Sequence, residues 1–211
     1  MPLDKIEQIS KGRLWALWKI EESAEELMQL LKPEGYDLTF LDNISNYEKK
    51  REWLASRLTL KALVNHVGAD YSGTYCDEYG KPYLNNCPFF ISISHSKTIA
   101  TAILCKNAPV GIDAEVIGPK LNHIAPRVLN ALELANSLNL TPQLCVYWCV
   151  KEVVYKLHGK KKISLRDNIL VHPFVLESQG LCKSELNHEG LVTVYNVKYL
   201  KVDNHIIAFN L

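Results

Sequence analysis

The sequence predicts an α+β protein organised as two halves, residues 1–108 and 109–211. Helical periodicity is sustained in two long segments, 47–66 and 143–158. Each is followed by alternating or β-branched runs with hairpin signals between them. At 211 residues the chain can bury one sizeable core or two half-sized ones. The order helix then hairpin therefore occurs twice, with a boundary near residue 108.

In chain order, residues 1–11 read as an irregular lead-in and 14–20 as a strand. Residues 21–31 form an acidic-fronted helix, its carboxylates favourable at a helix N-terminus, and Pro33 stops it. The helix 47–66 takes its apolar positions from Trp53, Leu54, Leu58, Leu60 and Leu63. Arg51, Arg57 and Lys61 form a basic set that reads most simply as a solvated face. Gly80-Lys81-Pro82 marks a turn with a rigid exit. Residues 89–95 and 98–105 read as paired strands, and 110–115 as the strand that follows. A connection marked by Pro and Gly leads to a helix over 128–138. Pro142 opens the helix 143–158, Gly159 closes it, and Lys160-Lys161-Lys162 continues as a basic loop. The remainder is β-rich, with 191–202 and 205–209 forming a hairpin around Asp203-Asn204.

A composition of 47% apolar and 22% charged residues excludes a disordered chain. A net charge of +1 gives no general attraction to nucleic acid or membrane, so any anion site must be built locally. The six cysteines contain no Cys-x-x-Cys pair, which argues against a zinc site. No apolar run approaches the length of a membrane span and no secretory signal pattern is evident. A reduced, cytoplasmic protein is expected, with no nucleic-acid or membrane partner.

Chemistry gathers at four places. In a strand over 110–115, Val110, Ile112 and Ala114 face one side and Gly111, Asp113 and Glu115 the other. The two carboxylates then stand about 7 Å apart. Carboxylates so close raise their own pKa or recruit a cation, for which a hard ion such as Mg2+ suits oxygen ligands; a solvated strand end is the plainer alternative. Ser94-His95-Ser96-Lys97 offers hydroxyls, an imidazole and an ammonium that can cradle a phosphate, or simply a polar hairpin turn. Adjacent strand residues diverge, so His95 is poorly placed to activate Ser94 or Ser96 as a nucleophile. Trp148, Glu152 and Lys156 share one helix face, and Glu152 with Lys156 alone would be an ordinary ion pair worth a few tenths of a kcal/mol. The Gly80-Lys81-Pro82 turn supplies a further cation.

Taken in order, Gly80-Lys81-Pro82, Ile93-Ser94-His95-Ser96, Gly111-Ile112-Asp113-Ala114-Glu115 and Trp148-x-x-Lys151-Glu152-x-x-x-Lys156 resemble the Sfp-type phosphopantetheinyl transferases over roughly residues 47 to 165. The resemblance implies two α/β lobes related by a pseudo-twofold axis in one chain, a monomer with coenzyme A in the cleft between them. It implies that Asp113, Glu115 and Glu152 bind Mg2+. His95, within the Ser94-His95 pair, would contact a coenzyme A phosphate, and Lys156 the pyrophosphate. Lys81 and Lys61, with Arg57, would lie around the nucleotide. Gly111 would let substrate phosphates approach the metal. Arg127, Val128 and Leu129 fall in the region that grips an acyl or peptidyl carrier protein, though a core-facing helix explains the apolar pair as well. Ser92 stands where the family usually has Asn, Lys97 where it has Gly, and Lys160-Lys161-Lys162 replaces an alternation of Gly and Lys.

The implied reaction moves the phosphopantetheine arm of coenzyme A to a carrier-protein serine, in fatty-acid or secondary-metabolite synthesis, and releases 3',5'-ADP. Glu152, directly or through a metal-bound water, is the candidate base. Two other readings use the same residues. A metal-dependent nuclease would place its acid and Lys closer together on a strand and would need a basic stripe along nucleic acid. A non-catalytic coenzyme A or carrier-binding module would lack a metal ligand, and none is missing.

Overall fold

The computed structural model describes residues 3–160 and 163–211. It combines helices and antiparallel sheets, an α+β protein, and divides into two compact units, Met1–Val110 and Gly111–Leu211.

The first unit has a four-stranded sheet of β1 (Leu3–Ser10), β2 (Arg13–Lys19), β5 (Phe90–His95) and β6 (Ile99–Cys105), in the order β1-β2-β6-β5. The expected lead-in is thus a strand. Its charges obscure the alternation: Leu3 and Ile6 pack on the core, while Asp4, Lys5 and Glu7 make ion pairs at the surface. Helix α1 (Ala24–Leu31) begins at a capping box, Ser23 and Glu26 each bonding the other's backbone N–H. Helix α2 (Gly35–Asp42) has no side-chain cap and starts at a glycine, so nothing in its sequence announces it. Strands β3 (Thr74–Cys76) and β4 (Pro82–Leu84) form a separate hairpin.

Helix α3 (Tyr47–His66) matches its expected bounds and is capped by Asn46, which accepts from the Lys49 N–H. It is not the one-sided helix that its basic set suggests. Leu54, Ala55 and Leu58 pack with Leu27 and Leu31 of α1 and Trp18 of β2. Leu60, Leu63 and Val64 pack with Leu14, Ile91 and Leu104. Covered by α1 and the sheet, α3 also buries Arg57, whose guanidinium stacks 4.4 Å from the Trp53 ring centroid. Of the expected basic face, Arg57 is therefore buried, while Arg51 and Lys61 are half-buried.

The second unit has a five-stranded antiparallel sheet of β7 (Ile112–Val116), β8 (Ile169–Val171), β9 (Gln179–His188), β10 (Leu191–Val202) and β11 (His205–Asn210), in the order β7-β11-β10-β9-β8. The hairpin around Asp203-Asn204 is β10–β11, with Val202 paired to His205. Helix α6 (Thr141–His158) starts at Pro142 and ends at Gly159, whose φ of +67° favours glycine. It lies on the sheet and buries Val146, Tyr147, Val150, Val153 and Val154. The helix expected over 128–138 is the shorter α5 (Ala131–Asn136), and the expected connection before it contains a further helix, α4 (Lys120–Val128). Asn130 caps α5 in a capping box with Glu133. Lys161 and Lys162 of the expected basic loop lie outside the described residues.

Candidate active site

The acidic residues meet where α6 crosses β7. A Cβ on Gly111 would stand 2.6 Å from the Val153 carbonyl oxygen, and strand alternation puts Asp113 and Glu115 on that same side. Gly111 is therefore required by helix packing, which corrects the reading that it opens the strand to substrate. The close approach brings the third carboxylate, Glu152, within electrostatic reach of Asp113 and Glu115. Burial first, then Asp113 and Glu115, push Glu152 up to about 7, with Lys156 opposing.

Two ammonium groups answer the strand carboxylates. Lys156 donates to Asp113 Oδ1 and to the Ile112 carbonyl, both at 2.8 Å. Lys120, opening α4, lies 2.8 Å from Glu115 Oε2, while Glu115 Oε1 accepts from the Val116 N–H. Lys156 thus reaches from helix to strand, beyond the local pairing with Glu152 that the helical spacing offers. Among the described residues no group of three or more His, Cys, Asp or Glu side chains stands arranged to hold a metal ion. Asp113, Glu115 and Glu152 offer only carboxylate oxygens, the donor type that suits a hard divalent ion, and burial followed by the neighbouring charges raises Glu152.

The expected anion-binding residues lie in the first unit. His95 ends β5 with Nδ1 3.1 Å from Glu52 Oε2 on α3. The Arg51 guanidinium donates to the Lys97 carbonyl, and Ser96 Oγ accepts from the Thr98 and Ile99 N–H groups, so the turn is fixed on both sides. The Ser94 carbonyl accepts from Thr101 Oγ1. Lys81 follows Gly80 in a turn organised by Asp77, which accepts from the Tyr79 and Lys81 N–H groups. Burial holds the Lys81 ammonium below its ordinary pKa, with Asp77 partly compensating. Lys61 donates to the Leu30 and Leu31 carbonyls at the C-terminus of α1, a helix-capping role. It is about 13 Å further along α3 than Glu52.

Residues 109–209 match the family model described as the 4'-phosphopantetheinyl transferase superfamily. That segment is similar to this superfamily. It carries all three carboxylates and Lys156. Two curated relatives, each named 4'-phosphopantetheinyl transferase AcpT, from Escherichia coli strain K12 and Escherichia coli O157:H7, are each 30% identical over 119 residues. The match takes in 53% of this chain and 59% of each relative, so the chain spans little more than half the length of the relatives it matches.

Within the superfamily segment, sequence reasoning passed over Lys120 and the pair Lys151–Glu133. Lys151 precedes Glu152 in the motif yet is fully buried. It donates to Glu133 Oε2 at 2.8 Å and to the Leu165 carbonyl at 2.7 Å, while Glu133 accepts from Val171 N–H. Glu52, in the first unit, was also missed. In sequence it is one more charge on a helix, and only its burial distinguishes it.

Proposed function

We propose that this protein transfers the 4'-phosphopantetheine arm of coenzyme A to a serine of an apo acyl or peptidyl carrier protein, with Mg2+, releasing 3',5'-ADP. The observation that carries this reading is the cluster of Asp113, Glu115, Glu152 and Lys156 inside the segment that matches the superfamily. Asp113, Glu115 and Glu152 would hold the divalent ion. When bound, that ion supplies Lewis-acid stabilisation of the pyrophosphate charge.

The chain's own groups supply the rest. Glu152, a carboxylate beside Asp113 and Glu115, is assigned to take the proton of the attacking serine hydroxyl. The new bond forms between that oxygen and the phosphorus bearing the pantetheine arm. The bond to the 3',5'-ADP oxygen breaks, and Lys156 neutralises charge on the departing phosphate. His95, Ser94 and Lys81 are assigned to coenzyme A phosphates, and the engagement of Lys61 by α1 makes it the weakest of the group.

The carrier protein fits the surface beside α4 and α5. An open groove of about 270 Å3 is lined by Ala125, Pro126, Leu134 and Leu144 with Asn122 and Asn139. Leu138, 72% exposed and held at a φ of +50°, projects next to it. Helix α4 carries Lys120, His123 and Arg127 and no acidic residue. An apolar groove with a basic rim suits an acidic amphipathic helix. Leu129 is buried, and Val128 packs on the core, so neither belongs to that surface. A monomeric, cytoplasmic enzyme completes the proposal. No helix among the described residues is long and apolar enough to cross a membrane.

The deciding experiment incubates apo-carrier proteins with coenzyme A and Mg2+ and reads the carrier mass and 3',5'-ADP release. Asp113→Ala should abolish both while the far-ultraviolet circular dichroism stays unchanged. Full turnover by that variant would end the proposal.

A further inference from the structure

We propose that Glu52 is the positioning residue of His95, holding its imidazole as a two-donor cation so that the second ring N–H can serve an anion. This rests on the reading above that His95 meets a coenzyme A phosphate. Three observations carry it. Glu52 is 1% exposed, deep in α3, and a buried carboxylate needs cationic or hydrogen-bonding partners. Its Oε2 stands 3.1 Å from His95 Nδ1, and an ionised carboxylate can only accept, so Nδ1 carries a proton. The neighbouring Arg51 binds the Lys97 carbonyl, so consecutive residues of one helix grip the same turn.

The ring chemistry makes the carboxylate necessary. A neutral imidazole with its proton on Nδ1 presents a lone pair at Nε2, which repels a phosphate oxygen. With both nitrogens protonated, the ring donates to Glu52 on one side and to an anion on the other. The charge of Glu52 favours that form. Charged groups beside the pair include Lys49, whose ammonium lies 2.7 Å from the same Glu52 oxygen, and, on the adjoining helix turn and loop, Arg51 and Lys97. On β6, His95 pairs with the uncharged Ala100. Lys49 therefore competes with His95 for Glu52. It is 64% exposed, which makes its removal structurally mild.

The test records the His95 ring 15N signals through a pH titration of the ligand-free full chain, and 3',5'-ADP affinity by calorimetry. In Glu52→Gln, of the same shape without the charge, His95 should lose its second proton at lower pH than in the wild type. Affinity for 3',5'-ADP should fall roughly tenfold near neutral pH and recover towards wild type in acid, where the ring is protonated in both proteins. Lys49→Met should shift the ring titration the opposite way. A His95 titration unchanged in both variants, or a loss of affinity equal at every pH, overturns the proposal. Failure of the wild type to bind 3',5'-ADP would instead sink the phosphopantetheinyl reading, while the ligand-free titration still decides the Glu52–His95 pairing.

Discussion

Glu152 is the residue whose charge state the site depends on. Its folded pKa of about 7 exceeds its ordinary value of 4.5, so the folded protein binds that proton more tightly than the unfolded chain. Its stabilising contribution is complete below about pH 4.5 and disappears as pH rises through about 7. Without metal, the stability of wild type relative to Glu152→Gln should therefore fall across that window, by on the order of 3 kcal/mol. Urea denaturation at a series of pH values measures it, and a constant difference would contradict the burial of Glu152 beside Asp113. At this scale the acidic site was largely legible. Strand alternation aligns Asp113 with Glu115, and helix periodicity aligns Glu152 with Lys156. The partners were not legible. His95 and Glu52 are 43 positions apart, as are Lys156 and Asp113, and no local pattern links such pairs.

Among the elements, α6 does two tasks with successive residues. About 100° of rotation separates Lys151 from Glu152 on the helix, so one turns into the core and the other towards the strand carboxylates. Lys151 ties α6 to α5 through Glu133, and to the segment after the helix through the Leu165 carbonyl. Both members of the pair are fully buried, so removing one strands the other's charge. Lys151→Met should destabilise the protein by about 3–5 kcal/mol, and adding Glu133→Gln should return part of that loss. Thermal or urea unfolding of the single and double variants gives the coupling; additive losses would mean the pair does not act as a unit. The long helices were readable because their capping and breaking residues are local: Asn46 for α3, Pro142 and Gly159 for α6. Helix α4 was hidden because it has no side-chain cap and carries Pro126 within it, so its sequence reads as a connection.

At the scale of the molecule, each unit has its own core, and the superfamily match spans almost all of the second. Ligands that bind only the folded protein should raise its stability through linkage, by about 2.7 kcal/mol at a hundred times the dissociation constant. Mg2+ with coenzyme A is therefore expected to raise the melting temperature of the wild type and to leave Asp113→Ala close to its unliganded value. Equal shifts in both proteins would remove Asp113 from the metal site.

The sequence by itself determined the α+β class, the two long helices, the hairpin at Asp203-Asn204, and the carboxylates and lysine of the candidate site. These follow from periodicity, capping and spacing, which act over a few residues. The tertiary structure alone decided that Gly111 admits α6, that Lys151 pairs with Glu133 in the core, and that Lys61 caps α1. It also decided that Glu52 stands behind His95. Those assignments depend on which helix face meets which sheet face, and that is settled by packing between residues far apart in the chain.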